Sequence, residues 1–159
     1  MRFLEKDLED IICEALKDPK SKSLLVKRGL HFLKYPLHHK RQLRIGNYGI
    51  SDIIITHRHP YHKDCIHVNV IELKKDVVDS VAVAQCANYM KGVTRYLDKR
   101  GIKYTISGSV IGSHIERGSN FVHLMGNVSQ ISVFTYSYGL EGIEFKEEEF
   151  DYHLIDEGF

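Results

Sequence analysis

The chain opens on an amphipathic pattern: Leu4, Leu8, Ile11, Ile12, Ala15 and Leu16 recur along one helical face, and Pro19 stands where such a helix would stop. From there to Arg44 no hydrophobic period emerges, and only a strand beginning near Arg41 is predicted. β-Branched runs at residues 43–45 and 50–56 then flank Gly46-Asn47-Tyr48-Gly49, which carries the chemistry of a tight turn and predicts a hairpin. Residues 57–64 are polar, contain Pro60 and read as a loop, after which residues 65–73 return as a third strand. The longest helical pattern covers residues 77–97, with Asp79 or Ser80 as N-cap and Lys99, Arg100 and Gly101 closing it. Residues 103–110 form a fourth strand, and from Val122 onward shorter strands are expected, residues 131–138 most clearly. The order αβββαβ describes an α/β (α+β) chain with a central mixed β-sheet flanked by helices.

Length and composition fit a single domain over residues 1–159: 43% of the residues are hydrophobic and 27% charged, enough of each for a core and a solvated surface. Its core would lie at about residues 5–110, with residues 111–159 peripheral. A net charge of +1 announces no polyanion partner, but the charge is unevenly spread. Lys17, Lys20, Lys22, Lys27, Arg28, Lys34, Lys40, Arg41 and Arg44 face Asp18 alone, whereas residues 141–157 hold eight acidic side chains and Lys146, read as a solvated acidic face or tail. Cys13, Cys65 and Cys86 make no C-x-x-C pair and suit a reducing compartment. With no secretory pattern at the start and no apolar run of roughly 20 residues, a cytoplasmic protein without a membrane partner is expected.

Candidate chemistry sits at the end of the third strand. Side chains two apart on a strand share a face, so Glu72 and Lys74 lie side by side on a strand that is otherwise apolar on both parities. Buried charge is costly unless paired or bound to a metal. Asp52 enters the second hairpin strand just after the turn, where it could come beside Glu72. Two carboxylates and a lysine on one face would hold a hard divalent cation, Mg²⁺ or Mn²⁺, while the lysine orients water or offsets charge on a phosphate. The plainer alternative is a solvated Glu72/Lys74 pair, with Asp52 only serving the turn.

Together these pieces resemble the PD-(D/E)xK nuclease superfamily, the restriction-endonuclease-like fold that includes Holliday-junction resolvases and RecB-like nucleases. Gly49-Ile50-Ser51-Asp52 is similar to its G-x-x-D motif, with Ser51 where some members carry Pro, and Glu72-Leu73-Lys74 is similar to its E-x-K. Gln85-Cys86-Ala87-Asn88-Tyr89 resembles the Q-x-x-x-Y element of the RecB-like branch, and residues 5–12 resemble the acidic first helix. The resemblance implies that Asp52, Glu72 and the Leu73 carbonyl bind Mg²⁺, with Mn²⁺ able to substitute, and that Lys74 is the catalytic lysine. It places Gln85 near the site with Tyr89 one turn further on, and it makes Glu5, or in second place Glu9, the acidic residue of the first helix. The implied reaction is hydrolysis of a DNA phosphodiester to a 5′-phosphate and a 3′-hydroxyl.

Lys40, Arg41, Arg44, Arg58 and Tyr89 are the expected nucleic-acid contacts. Residues 57–67 hold four histidines but match no closed zinc pattern, so phosphate contact or a solvated basic surface is the better reading. Cys86 reads as core, and Ser107-Gly108-Ser109, Gly112-Ser113-His114 and Gly118-Ser119-Asn120 as strand ends and turns. A non-catalytic nucleic-acid-binding or assembly subunit on the same fold is the alternative. Because one site cuts one strand, a homodimer is expected.

Overall fold

The computed structural model describes residues 5–116, 118, 121, 125 and 130–150. The expectations on Leu4, Ser119, Asn120, Val122 and residues 151–157 lie outside the described residues. Helix α1 (Glu5–Leu16) buries Leu8, Ile12, Cys13 and Ala15, the apolar stripe its spacing predicts. Pro19 ends this helix and also opens another: α2 (Pro19–Lys27) has Pro in its first turn and Asp18 as N-cap, accepting from the Ser21 amide at 3.3 Å. A helix was not expected here, because its apolar stripe is too thin to read; only Leu25 is buried.

After a 3₁₀ turn (His31–Leu33) come β1 (His38–Arg44), a second 3₁₀ turn (Gly46–Tyr48), β2 (Ile50–Arg58) and β3 (Ile66–Leu73). The predicted hairpin is present, with β1 starting three residues before Arg41 and Ile45 donating to the Gly49 carbonyl at 2.8 Å across the turn. The short β4 (Val77–Val78) precedes α3 (Ser80–Lys99), which Asp79 caps by accepting from the Ala82 amide at 2.9 Å. The long helix therefore begins at Ser80 and not at residue 77. Strand β5 (Tyr104–Gly112), β6 (His114–Ile115), β7 (Ile131–Gly139) and β8 (Gly142–Glu148) follow. The last of these decides between the two readings of residues 142–148 in favour of a face: Ile143 and Phe145 alternate with Glu144 and Lys146, so one side of the strand is core and the other is the solvated face.

One sheet of six strands runs β1-β2-β3-β5-β7-β8, parallel at β3-β5-β7 and antiparallel elsewhere, while β4 and β6 form a small parallel pair. This is a mixed α/β fold with a central mixed sheet flanked by helices. Odd positions of β2 and β3, such as Ile53, Ile55, Ile71 and Leu73, pack under α1 and α2; even positions, such as Ile54, Val68 and Val70, pack under α3. Among the described residues no helix is long and apolar enough to cross a membrane.

The C-terminal end of α2 is fastened to the far edge of the sheet, where the Phe145 amide donates to the Arg28 carbonyl at 2.7 Å. Gly29 makes that approach possible: its φ is +121° and a Cβ there would lie 2.0 Å from the Phe145 carbonyl oxygen. Gly101, with φ +65° and open space around it, carries the conformational requirement without the clash. Urea unfolding should therefore show Gly101→Ala losing about 1 kcal/mol and Gly29→Ala losing at least twice as much. Equal losses would mean that α2 is not held against β8 in this way.

Candidate active site

The β2–β3 register pairs Ile53 with Ile71, and one further step along it sets Asp52 opposite Glu72. Both are at even positions, so both point to the face covered by α3, as does Lys74. Asp52 thus does come beside Glu72, across the β2–β3 pair. Glu72 is only 5% exposed, and its Oε2 is buried without a hydrogen-bond partner. Lys74 Nζ lies 3.7 Å from Glu72 Oε1 and donates to Gln85 Oε1 at 3.5 Å.

Asp52 is held from its own sheet. Its Oδ2 accepts the Leu73 amide at 2.8 Å. Because N–H and C=O of one strand residue point to the same side, the Leu73 carbonyl faces the same gap, whereas the Lys74 amide turns away to the Ile111 carbonyl at 2.8 Å. A carbonyl and two carboxylates therefore border one space. Burial pushes the Glu72 carboxyl up to about 8, the Asp52 charge adds to the rise and Lys74 opposes it. Burial also raises Asp52, opposed by the Leu73 amide and by hydrogen bonding from Glu72 and Gln42. In the metal-free protein, then, the pair keeps a proton, held on Glu72.

The Q-x-x-x-Y helix segment and the G-x-x-D turn meet physically. Gln85 Nε2 donates to the Tyr89 hydroxyl at 2.9 Å, and the Tyr89 ring lies against Gly49, where a Cβ would come within 3.0 Å of it. Gly49 also has φ +120°, so both its backbone and its neighbour favour glycine. Tyr89 is 5% exposed: the structure places it as a wall behind the site and not as a surface for a strand of nucleic acid.

On the first helix, Glu9 is buried and Glu5 exposed. Glu9 accepts from Gln42 Nε2 at 3.0 Å and lies 3.4 Å from Arg41, which also pairs with Asp10 at 2.6 Å. Glu5 stays near enough for its charge to raise Glu72 slightly. The same Gln42 amide donates to Asp52 Oδ1 at 3.3 Å, so one side chain joins Glu9 to Asp52. Sequence reasoning passed over Gln42. Its one structural mark is a φ of +47°, the only positive value for a non-glycine among the described residues. No signal in the one-letter pattern announces it.

Lys40, Arg44 and Arg58 are exposed. Arg44 borders a mostly apolar cavity of about 610 Å³ between β1, β2 and α3, and Arg58 sits six residues along β2 from Asp52, roughly 20 Å at strand rise. The structure thus gathers Asp52, Glu72, Lys74, Gln85 and Glu9 into one network, keeps Arg41 beside it and leaves Arg58 apart. Cys86 is fully buried with its thiol pushed up to about 12 by burial, as a core residue should be. Among the described residues no group of three or more His, Cys, Asp or Glu side chains could hold a metal ion, the histidine-rich loop included.

No protein-family model and no curated protein matches the chain. Two solved structures show a loose likeness. An EndoMS–dsDNA complex gives TM-score 0.45 and 18% identity over 69% of this chain and 40% of that one. A repair endonuclease from Pyrococcus abyssi gives TM-score 0.45 and 16% identity over 72% of this chain and 45% of that one. The chain therefore spans less than half the length of either.

The carboxylate pair sets a pH signature. Folded Glu72 keeps its proton to about 8 whereas an ordinary glutamate releases it near 4.5. Across that window the folded state binds more protons than the unfolded one, so this group's contribution is full at low pH and is lost as pH rises. In the presence of EDTA, the melting temperature of wild type relative to Glu72→Gln should fall between about pH 5 and about pH 8. A constant difference across the range would show that Glu72 titrates as an ordinary glutamate.

Proposed function

We propose that the chain is a metal-dependent nuclease hydrolysing DNA phosphodiester bonds at Asp52, Glu72 and Lys74. The observation that carries this reading is the buried, incompletely satisfied Glu72 carboxylate, opposite the half-buried Asp52 and with a lysine amine 3.7 Å away. Such an arrangement costs stability as it stands, and a hard cation would relieve it. Asp52, Glu72 and the Leu73 carbonyl fit Mg²⁺ or Mn²⁺, which take oxygen ligands and are commonly held by one or two carboxylates with water and phosphate completing the shell. The bound cation would supply Lewis-acid polarisation of a phosphoryl oxygen.

The chain's own groups do the rest. The Leu73 amide and Gln42 fix the direction of Asp52. Gln85 steadies Lys74 Nζ, whose charge offsets the negative charge that builds on the phosphoryl oxygens as water attacks phosphorus and the P–O3′ bond breaks. The water's oxygen ends on the 5′-phosphate and a proton on the 3′-oxygen. Cutting both strands of a duplex would take two such sites, and a homodimer supplies them with an isologous interface.

The test is cleavage of labelled linear, single-stranded, branched and supercoiled DNA with Mg²⁺, Mn²⁺ or EDTA. Wild type should cut only with metal, and Lys74→Ala should lose at least about 100-fold in rate while melting normally. Undiminished cutting by Lys74→Ala would remove the reading, and salt-sensitive binding with no cutting under any metal would favour the non-catalytic subunit.

Gln42 offers a finer test, because Gln42→Gly keeps the left-handed backbone and removes the side chain that joins Glu9 to Asp52. With metal present the rate should fall about tenfold or more at a temperature where the variant is fully folded, as when a residue orienting a metal ligand is lost. An unchanged rate would mean that Asp52 needs no support from β1.

A further inference from the structure

The opposite face of the sheet, at the other end of β3, carries a second constructed cleft that the nuclease reading does not use. A cavity of about 300 Å³ is lined by Phe32, Tyr35, His57, Tyr61, His67 and Asn69 among others. Asn69 lies at an odd position, so it points away from Glu72 and Lys74, and four residues of strand, roughly 13 Å, separate it from Leu73.

Three features of this cleft select its ligand. The rings of Tyr35, His57 and His67 form a column, with centroids 4.8 Å and 5.2 Å apart and planes within 33° and 36° of each other. Asn69, 6% exposed, donates through Nδ2 to Ser107 Oγ at 2.7 Å, while its Oδ1 is buried with no hydrogen-bond partner. The lining contains no carboxylate, and the Lys34 amine stands over the Tyr35 ring at 5.1 Å.

The amide is oriented from below. His67 contacts Thr105 Oγ1 through Nδ1 at 2.6 Å and Ser107 Oγ through Nε2 at 2.8 Å. Burial, with His57 and His59 beside it, holds His67 below the usual histidine range, so it is neutral near pH 7. With the Asn69 amide donating to Ser107, the Ser107 hydroxyl donates to His67 Nε2 and the Nδ1–H donates to Thr105. The acceptor that this relay leaves without a partner is Asn69 Oδ1, on a residue that lines the cavity.

A ligand that satisfies this cleft must be flat, to meet the rings, and must offer an N–H at its edge. An aliphatic chain would leave Oδ1 orphaned, a phosphate would present it with another acceptor, and a saturated sugar ring would not stack on the ring column. We propose that the cleft is a nucleobase-binding subsite, in which an unpaired base stacks on the Tyr35/His57/His67 rings and donates an edge N–H to Asn69 Oδ1. This is how bases out of the helical stack are generally held, by aromatic faces and a few edge hydrogen bonds. The subsite does not depend on cleavage.

Binding by the full chain in EDTA, where the proposed cutting is disabled, tests it directly. The probes are a single strand with one 2-aminopurine, the same strand with an abasic site there, and free 2-aminopurine riboside. Stacking should quench the 2-aminopurine emission, and Asn69→Leu and Tyr61→Ala should each weaken binding about fivefold or more. Tyr61, 84% exposed at the cleft, can be truncated without disturbing the fold. Quenching of the free riboside with the same dependence on Asn69 and Tyr61 would identify a free base as the ligand, and quenching of the strand alone would identify a strand-borne one. Equal affinity for the abasic strand, or quenching indifferent to both variants, would overturn the proposal. A failure of Lys74-dependent cleavage would leave this outcome untouched.

Discussion

Two carboxyl groups facing each other across adjacent buried strands are the constraint around which the rest of the site is arranged. The β2–β3 register brings Asp52 and Glu72 together on the face that α3 packs against, with Glu72 buried and Asp52 half-buried. Like charges in such a position cannot both ionise cheaply, and Glu72 responds by keeping its proton up to about 8. The neighbouring contacts are partial answers to the same cost: an amide from Leu73, a carboxamide from Gln42, an ammonium from Lys74. None of them reaches Glu72 Oε2. Well-packed apolar residues of similar volume would hold this place at no greater cost, so stability alone does not account for the pair.

The same constraint explains why the turn and the long helix are tied together. A site made from strand ends needs its covering helix at a fixed height, and the contact of Tyr89 on Gly49 provides that stop within three residues of Asp52. Gln85, one turn back, then falls within reach of Lys74. Glycine in the turn and tyrosine on the helix are thus two halves of one contact, although forty residues separate them in sequence.

What could be read in advance followed the strength of local signals. The stripe of α1, the hairpin and the apolar run of β3 were legible because each repeats a period over many residues, and they left open a pairing of Asp52 with Glu72 that the β2–β3 register makes. Helix α2 escaped because its stability comes from Asp18, Pro19 and the docking of Gly29, not from an apolar stripe. Strand β8 fell under the general expectation of shorter strands after Val122 but was not located, because its acidic residues mask a plain alternation of Ile143 and Phe145. Glu5 and Glu9, four apart, are indistinguishable by periodicity; only the packing of β1 beneath α1, with Gln42 and Arg41 reaching up, buries Glu9. The role of Gln42 depends on a backbone angle, which no residue pattern encodes.

Sheet order also converts a division of charge along the sequence into one in space. Basic β1 lies at one edge, next to the strand that carries Asp52, and acidic β8 lies at the other edge, four strands from β2. At strand spacing that is roughly 19 Å, about twice the distance over which charges at physiological ionic strength feel one another. The two edges therefore act almost independently, and a net charge of +1 conceals a surface that a polyanion would approach from one side only. Arg41, held by Glu9 and Asp10, contributes little to that field, so Lys40 and Arg44 must carry it. Both are on the edge strand, with Asp52 one strand further in and Glu72 two. Positive charge here is therefore kept apart from the carboxylates of Asp52 and Glu72.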